Sequence, residues 1–246
     1  MIKSLKINFS VAILLLQYAV FAQTDKQVRI INNFDQDWAF IQEDANGAEK
    51  TDYDASKWRM LNLPHDWSIE GAYDKANLAA RGGGYLPSGI GWYRKSFSLD
   101  ENLSSKKISI EFDGVMANSE VWINGFHLGK RPYGYISFNY DLSKHLNFGK
   151  GKTNIIAVKA DNTVQPSSRY YTGAGIYRHV RLVATDPIHI DKWGVFITTP
   201  EASAQKATLK VQTAVSNESA KAAQITLETS VLDGAGKVVK TVQSKQ

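Results

Sequence analysis

Residues 38–184 run as short alternating segments separated by Gly, Pro, Asn and Asp, and nowhere carry the 3.6-residue apolar period of a surface helix. That pattern confines the region to an all-β fold. Residues 91–99, 107–112, 119–123, 126–129, 136–140, 154–160 and 179–184 are the strand candidates, each rich in Ile, Val, Phe, Tyr or Trp. Asn124-Gly125 between two of them is a strong hairpin signal, because a type I′ turn needs positive φ at both central residues. Residues 141–146 add at most one helical turn. This many strands joined by long connections predicts a jelly-roll sandwich, its two sheets burying alternating Ile, Phe, Val and Trp.

The first 22 residues read as a secretory signal: Lys3 and Lys6, the apolar run from Val11 to Leu16, and small residues up to Ala22. Export to a periplasm or beyond is expected, with a mature chain starting near Gln23. The apolar run is shorter than the roughly 20 residues of a spanning helix, so no membrane partner is expected. Cysteine is absent, so the fold must rest on its core rather than on disulfides. Without the signal, 27 basic residues stand against 24 acidic ones, scattered rather than striped, which argues against a nucleic-acid partner. The six tryptophans are spread along the chain, as structural anchors would be. The five histidines show no zinc-like spacing, so neither a metal nor a cofactor is expected.

Beyond Asp186-Pro187 the composition turns to Ala, Ser, Thr and Lys. Alternation at 193–197, 207–215 and 223–232, then a turn at 233–236 and apolar residues at 237–240, predicts an immunoglobulin-like sandwich. Such a domain needs about 100 residues and seven strands. About 60 residues follow Pro187, so the expected organisation is a signal at 1–22, a jelly-roll domain at 23–187 and a partial immunoglobulin-like domain at 188–246, the polypeptide being cut within its second domain.

The connection at 165–178 gathers three tyrosines, two arginines and two glycines between two strands. Tyrosine faces stack on the C–H face of a sugar ring, while Arg and Ser donate to hydroxyls, which suits a polar, uncharged ligand with an apolar face. The alternative stays open: Gly173 and Gly175 supply positive φ, and the tyrosines plug the end of the sandwich.

Taken together, Leu61-Asn-Leu-Pro-His-Asp-Trp67, Gly91-Trp-Tyr-Arg94, the stretch from Phe112 to Gly125 and Gly173-Ala-Gly-Ile-Tyr-Arg-His-Val-Arg-Leu182 resemble the N-terminal sugar-binding domain of glycoside hydrolase family 2. The form Pro-Ser-Ser-Arg-Tyr-Tyr is most similar to exported β-galactosidase-like members. The resemblance implies a jelly roll, an immunoglobulin-like domain and then a (β/α)₈ barrel carrying two catalytic glutamates in a retaining mechanism. No catalytic residue is expected here, since Asn217-Glu218 imitates the family's acid/base pair outside any barrel context. Asp66 stands where members place a polar side chain on sugar hydroxyls, with His65 beside it, and Arg169 stands where several members carry an acidic residue. With Tyr170 and Tyr171 these form the expected substrate-binding set. Asp66 as a turn or cap carboxylate, and Arg169 paired with an acidic neighbour, are the structural alternatives.

Three functions follow. The chain is the non-catalytic N-terminal portion of an exported retaining glycosidase acting on terminal β-linked sugars, with β-glucuronidase or β-mannosidase as alternatives within the family. Or the jelly roll is a free-standing carbohydrate-binding module. Or it is a purely structural sandwich. The expected partner is a β-linked oligosaccharide or glycan met through the full-length enzyme, which can also form a homo-oligomer.

Overall fold

The computed structural model describes residues 28–245; the signal-like segment lies outside the described residues. The chain is all-β. One sheet has six strands in the order β3-β2-β4-β9-β6-β7: β2 Trp38–Ile41, β3 Arg59–Leu61, β4 Ile90–Phe97, β6 Ser119–Ile123, β7 Phe126–Arg131 and β9 Asn154–Asp161. The second has four in the order β1-β10-β5-β8: β1 Arg29–Asn33, β5 Lys107–Phe112, β8 Phe138–Asp141 and β10 Val180–Thr185. All neighbouring pairs are antiparallel, as in a jelly-roll-like sandwich.

Strict alternation builds the core. In β5, Ile108, Ile110 and Phe112 point inward, and in β6 Ser119, Val121 and Ile123 do so. They meet Trp38, Phe40, Tyr93, Ile156, Val158, Val180 and Leu182 between the sheets. The central strand β4 is buried on both faces. Its outer side carries Trp92 and Arg94, roofed by the connection that holds Ala45, Ala48 and Trp58. Arg94 is buried there without a carboxylate partner among the described residues: its guanidinium donates to the carbonyls of Ala48, of Lys50 at 2.9 Å and of Tyr53 at 3.4 Å, so this cation fastens the roof. Trp122 stacks on Trp92, centroids 5.2 Å apart. Both act as packing groups.

The Asn124-Gly125 hairpin has the expected positive φ at both residues, 49° and 81°. The Asn124 side chain secures it, donating to His145 O at 2.7 Å and Asn154 Oδ1 at 2.8 Å and accepting from Ile155 N at 2.8 Å. The helical turn expected at 141–146 is a 3-10 turn at Ser143–His145.

The remaining strands pair as two hairpins: β11 Ile188–Ala202 with β12 Ala207–Asn217, and β13 Thr226–Leu232 with β14 Val238–Lys245. These two small sheets correspond to part of an immunoglobulin-like sandwich, and no barrel occurs among the described residues. Glu218 faces the jelly roll, where its carboxylate lies 2.5 Å from Lys107 Nζ; Lys192 reaches Glu111 at 3.0 Å. Asn217 holds the following turn, accepting from Ser219 N at 3.0 Å and donating to Lys221 O at 2.9 Å. The Asn-Glu pair therefore has a docking and turn-forming role.

Candidate functional site

Three connections meet at the end of the sandwich where β5 and β9 finish and β4, β6 and β10 begin. The segment Ala174-Gly175-Ile176 runs between the other two like a short strand. Met116 and Gly175 exchange both backbone hydrogen bonds, at 2.9 and 2.7 Å, and on the other flank His65 N donates to Ile176 O at 2.8 Å. The 165–178 connection is therefore backbone-paired on both sides at 174–176 before any side chain acts.

Asp66 locks the crossing. It is the N-cap of a 3-10 turn at Trp67–Glu70, with Oδ1 accepting from Ser68 N at 3.0 Å. The same oxygen accepts from Ala174 N at 3.0 Å, and Oδ2 accepts from the Tyr171 hydroxyl. Burial and the neighbouring Asp66 carboxylate both push the Tyr171 phenol far above its ordinary range, so it stays a donor at all working pH values. The cap role anticipated for Asp66 is present, and the residue is only partly buried at the rim.

Burial alternates with period two through this segment. Leu63, His65 and Trp67 point inward, while Pro64 and Asp66 point outward. His65 is consequently a core residue. Nδ1 lies 2.8 Å from the Tyr93 hydroxyl, Nε2 lies 2.7 Å from Arg59, and Arg59 also reaches Glu70 at 2.7 Å. Burial lowers the imidazole pKa against the opposing pull of Glu70, so the ring is held neutral. With 8% exposure it offers little surface to a ligand at the rim.

Packing explains the glycines. A Cβ on Gly175, at φ +101°, would lie 2.2 Å from the Tyr93 hydroxyl and 2.9 Å from the Trp67 ring. At Gly82 it would lie 2.7 Å from Ser168 O, so the 71–89 connection presses directly on the backbone that presents Arg169. The motifs Pro-His-Asp-Trp, Gly-Trp-Tyr-Arg and Gly-Ala-Gly-Ile-Tyr thus describe one interlocked unit.

Arg169 is exposed and has no hydrogen-bond or ion-pair partner among the described residues; the acidic neighbour anticipated for it is not there. The two adjacent tyrosines part company. Tyr171 turns to Asp66, whereas Tyr170 lines a neighbouring cleft with Tyr133 and Tyr135. Sequence reasoning missed that second pair, although Pro132-Tyr-Gly-Tyr135 has the same aromatic and glycine composition as the loop it singled out. Arg178 is likewise exposed, and no hydrogen bond from it braces the loop among the described residues.

The family described as Glycosyl hydrolases family 2, sugar binding domain, matches residues 31–186. Among curated relatives, "Beta-galactosidase BoGH2A" of Bacteroides ovatus is 46% identical over 213 residues, covering 87% of this chain and 25% of its own. A "Putative beta-glucuronidase" of Formosa agariphila is 43% identical over 233 residues, covering 95% and 22%. The solved structure of a beta-glycosidase from Bacteroides vulgatus superposes with a TM-score of 0.83 at 41% identity, over 88% of this chain and 28% of that one. The chain spans about a quarter of the length of these curated relatives. It belongs to glycoside hydrolase family 2 and carries that family's N-terminal sugar-binding domain.

Proposed function

We propose that this chain is the non-catalytic N-terminal portion of an exported, retaining, β-galactosidase-like glycoside hydrolase acting on terminal β-linked sugars, and that it shapes one wall of the substrate pocket. The chemistry falls to the part of the relatives that this chain does not span. A retaining mechanism needs two carboxylates about 5–5.5 Å apart, and Glu218, the residue that imitates one, is engaged by Lys107. Localisation outside the cytoplasm rests on the signal-like first 22 residues.

The observation that supports the wall reading is the Asp66–Tyr171 hydrogen bond, two residues along the chain from the exposed Arg169. Asp66 is pre-oriented by two backbone N–H groups, which is what a hydroxyl-reading carboxylate requires. Arg169 stands free to donate.

The test uses the enzyme extended through its barrel. Asp66→Asn keeps an acceptor for Ser68 and Ala174 while removing the charge, and should lower kcat/KM on a β-galactoside about 10–100-fold with stability little changed. Unchanged turnover would leave only a structural sandwich. Micromolar binding of a β-galactoside by residues 23–187 alone would instead favour a free-standing module.

One observation favours a second specificity within the family. The guanidinium of Arg169, exposed and without a partner among the described residues, is suited to a uronate carboxylate. Comparing β-galactoside with β-glucuronide turnover in wild type and Arg169→Gln separates the two: a loss confined to the glucuronide assigns Arg169 to the carboxylate.

A further inference from the structure

The cleft lined by Tyr170 and Thr172, the two neighbours of the Asp66-bonded Tyr171, has about 310 Å³ of space. Its walls are the Met116–Asn118 turn, the loop at 132–135 and the segment from Asn162 to Thr172. None of its lining residues is Asp, Glu, Lys, Arg or His. On a chain in which 22% of residues are charged, an uncharged cleft selects against ionic ligands, because nothing in it offsets the desolvation of a charge.

Its aromatics are on display. Tyr133 is 63% exposed, Tyr170 62% and Tyr135 43%. Tyr133 and Tyr135 stand edge to face with centroids 5.8 Å apart, and Tyr135 meets Tyr177 the same way at 6.2 Å. Tyr135 is fixed by donating to Thr172 O at 3.1 Å, and Tyr177 by donating to Gly134 O at 2.9 Å. The hydroxyls of Tyr133 and Tyr170 have no partner among the described residues, nor do those of Ser167 and Ser168. An aromatic platform anchored at Tyr135 and Tyr177, with spare hydroxyls and no charge, fits a neutral pyranose: the sugar's C–H face covers a ring, and its equatorial hydroxyls find donors and acceptors.

Asn162 joins this cleft to the Asp66 rim, its side chain donating to Gly173 O at 2.9 Å. We propose that the Tyr133–Tyr135–Tyr170 cleft is a second carbohydrate subsite, which holds a neutral sugar residue of the glycan next to the one read at Asp66. The inference rests on the reading above that the ligand is a glycan, and it divides the labour of the two neighbouring tyrosines between two subsites.

The test is an NMR titration of this chain with neutral β-linked tetrasaccharides of galactose, glucose and mannose, with tetragalacturonate as the charged control. At least one neutral tetrasaccharide should perturb resonances at 133–135 and 167–172 with a dissociation constant of about 1–10 mM, the scale of one or two stacked rings. Tyr133→Ala and Tyr170→Ala should each weaken this about 3–10-fold. Tyr133→Phe and Tyr170→Phe keep the stacking face and should retain most of the affinity, which also controls for misfolding. No perturbation by any of the three at about 20 mM overturns the proposal, as do shifts indifferent to the alanine variants or equal perturbation of residues 133–135 by tetragalacturonate. The wall reading fails separately: saturable binding in the cleft alongside normal turnover by the Asp66→Asn enzyme would sink the wall and keep the subsite.

Discussion

Oδ1 of Asp66 lies 3.0 Å from the backbone nitrogen of Ala174, a residue 108 positions further along the chain. One carboxylate therefore both caps its own 3-10 turn and tethers the loop that presents Arg169 and the tyrosines. Hydrogen bonding to an ionised acceptor is worth more than a neutral bond, and the Ala174 N–H loses its partner if the acceptor goes.

Asp66→Ala should accordingly destabilise the fold by about 1–3 kcal/mol. Asp66→Asn should cost less than half of that, since the amide oxygen still faces Ser68 and Ala174. Urea unfolding measures both. Equal losses for the two variants would mean that the charge, rather than the acceptor geometry, holds the crossing.

Gly175 tests the interlock from the opposite side. An added methyl meets the Tyr93 hydroxyl and the Trp67 ring, both deeply buried and unable to retreat, and φ of +101° is itself unfavourable for alanine. Gly175→Ala should cost about 3 kcal/mol or more. Gly84 has φ of +69° with nothing within 4 Å of a Cβ, so Gly84→Ala carries only the backbone penalty, about 1 kcal/mol. Thermal unfolding of the pair isolates the steric part. Equal melting temperatures would show that the Trp67–Tyr93 contact yields.

Much of this architecture was readable because burial in a sandwich follows period two. β5 and β6 occupy the residues their alternation predicted. β1, β2 and β3 were not foreseen: at 5, 4 and 3 residues they are too short for alternation to show, and they are fixed by pairing with β10, β4 and each other. β11 extends well beyond 193–197 because its ends continue to pair with β12 across two register breaks. At the rim, composition marked the loop but not the direction of its side chains. Asp66 has extended backbone, so it faces away from His65, whereas Tyr170 and Tyr171 part at a bend over 168–170 that composition does not reveal. The Leu63, His65, Trp67 alternation was the available signal that His65 turns inward.

Arg94 offers a local rather than global readout. Its guanidinium serves three carbonyls of the roof and is itself buried, so Arg94→Met exchanges a satisfied cation for an apolar chain and leaves Ala48, Lys50 and Tyr53 to find water. Amide exchange across residues 45–53 should accelerate by about tenfold or more, with β5 and β10 little affected. Uniform acceleration throughout the sandwich would instead make Arg94 part of the global core.

His65 should make stability depend on pH. Burial lowers its folded-state pKa below the ordinary 6.5, overcoming the Glu70 carboxylate that favours the charged form. Between those two pKa values the unfolded chain binds the proton more readily than the folded one, so stability is greatest above about pH 6.5, falls as the solution is acidified, and levels off below the folded value. Asp35 does not mask this. Although its burial acts upward, the bonds from Val180 N, His179 and Asn33 hold its carboxyl below the usual range, so its contribution is lost only at more acidic pH. The melting temperature of the wild type should decline from pH 7.5 to 5.5, and His65→Gln, which cannot titrate, should flatten that decline while lowering stability at pH 7.5 through loss of its contacts to Tyr93 and Arg59. An undiminished slope in the variant would place the responsible proton on another group.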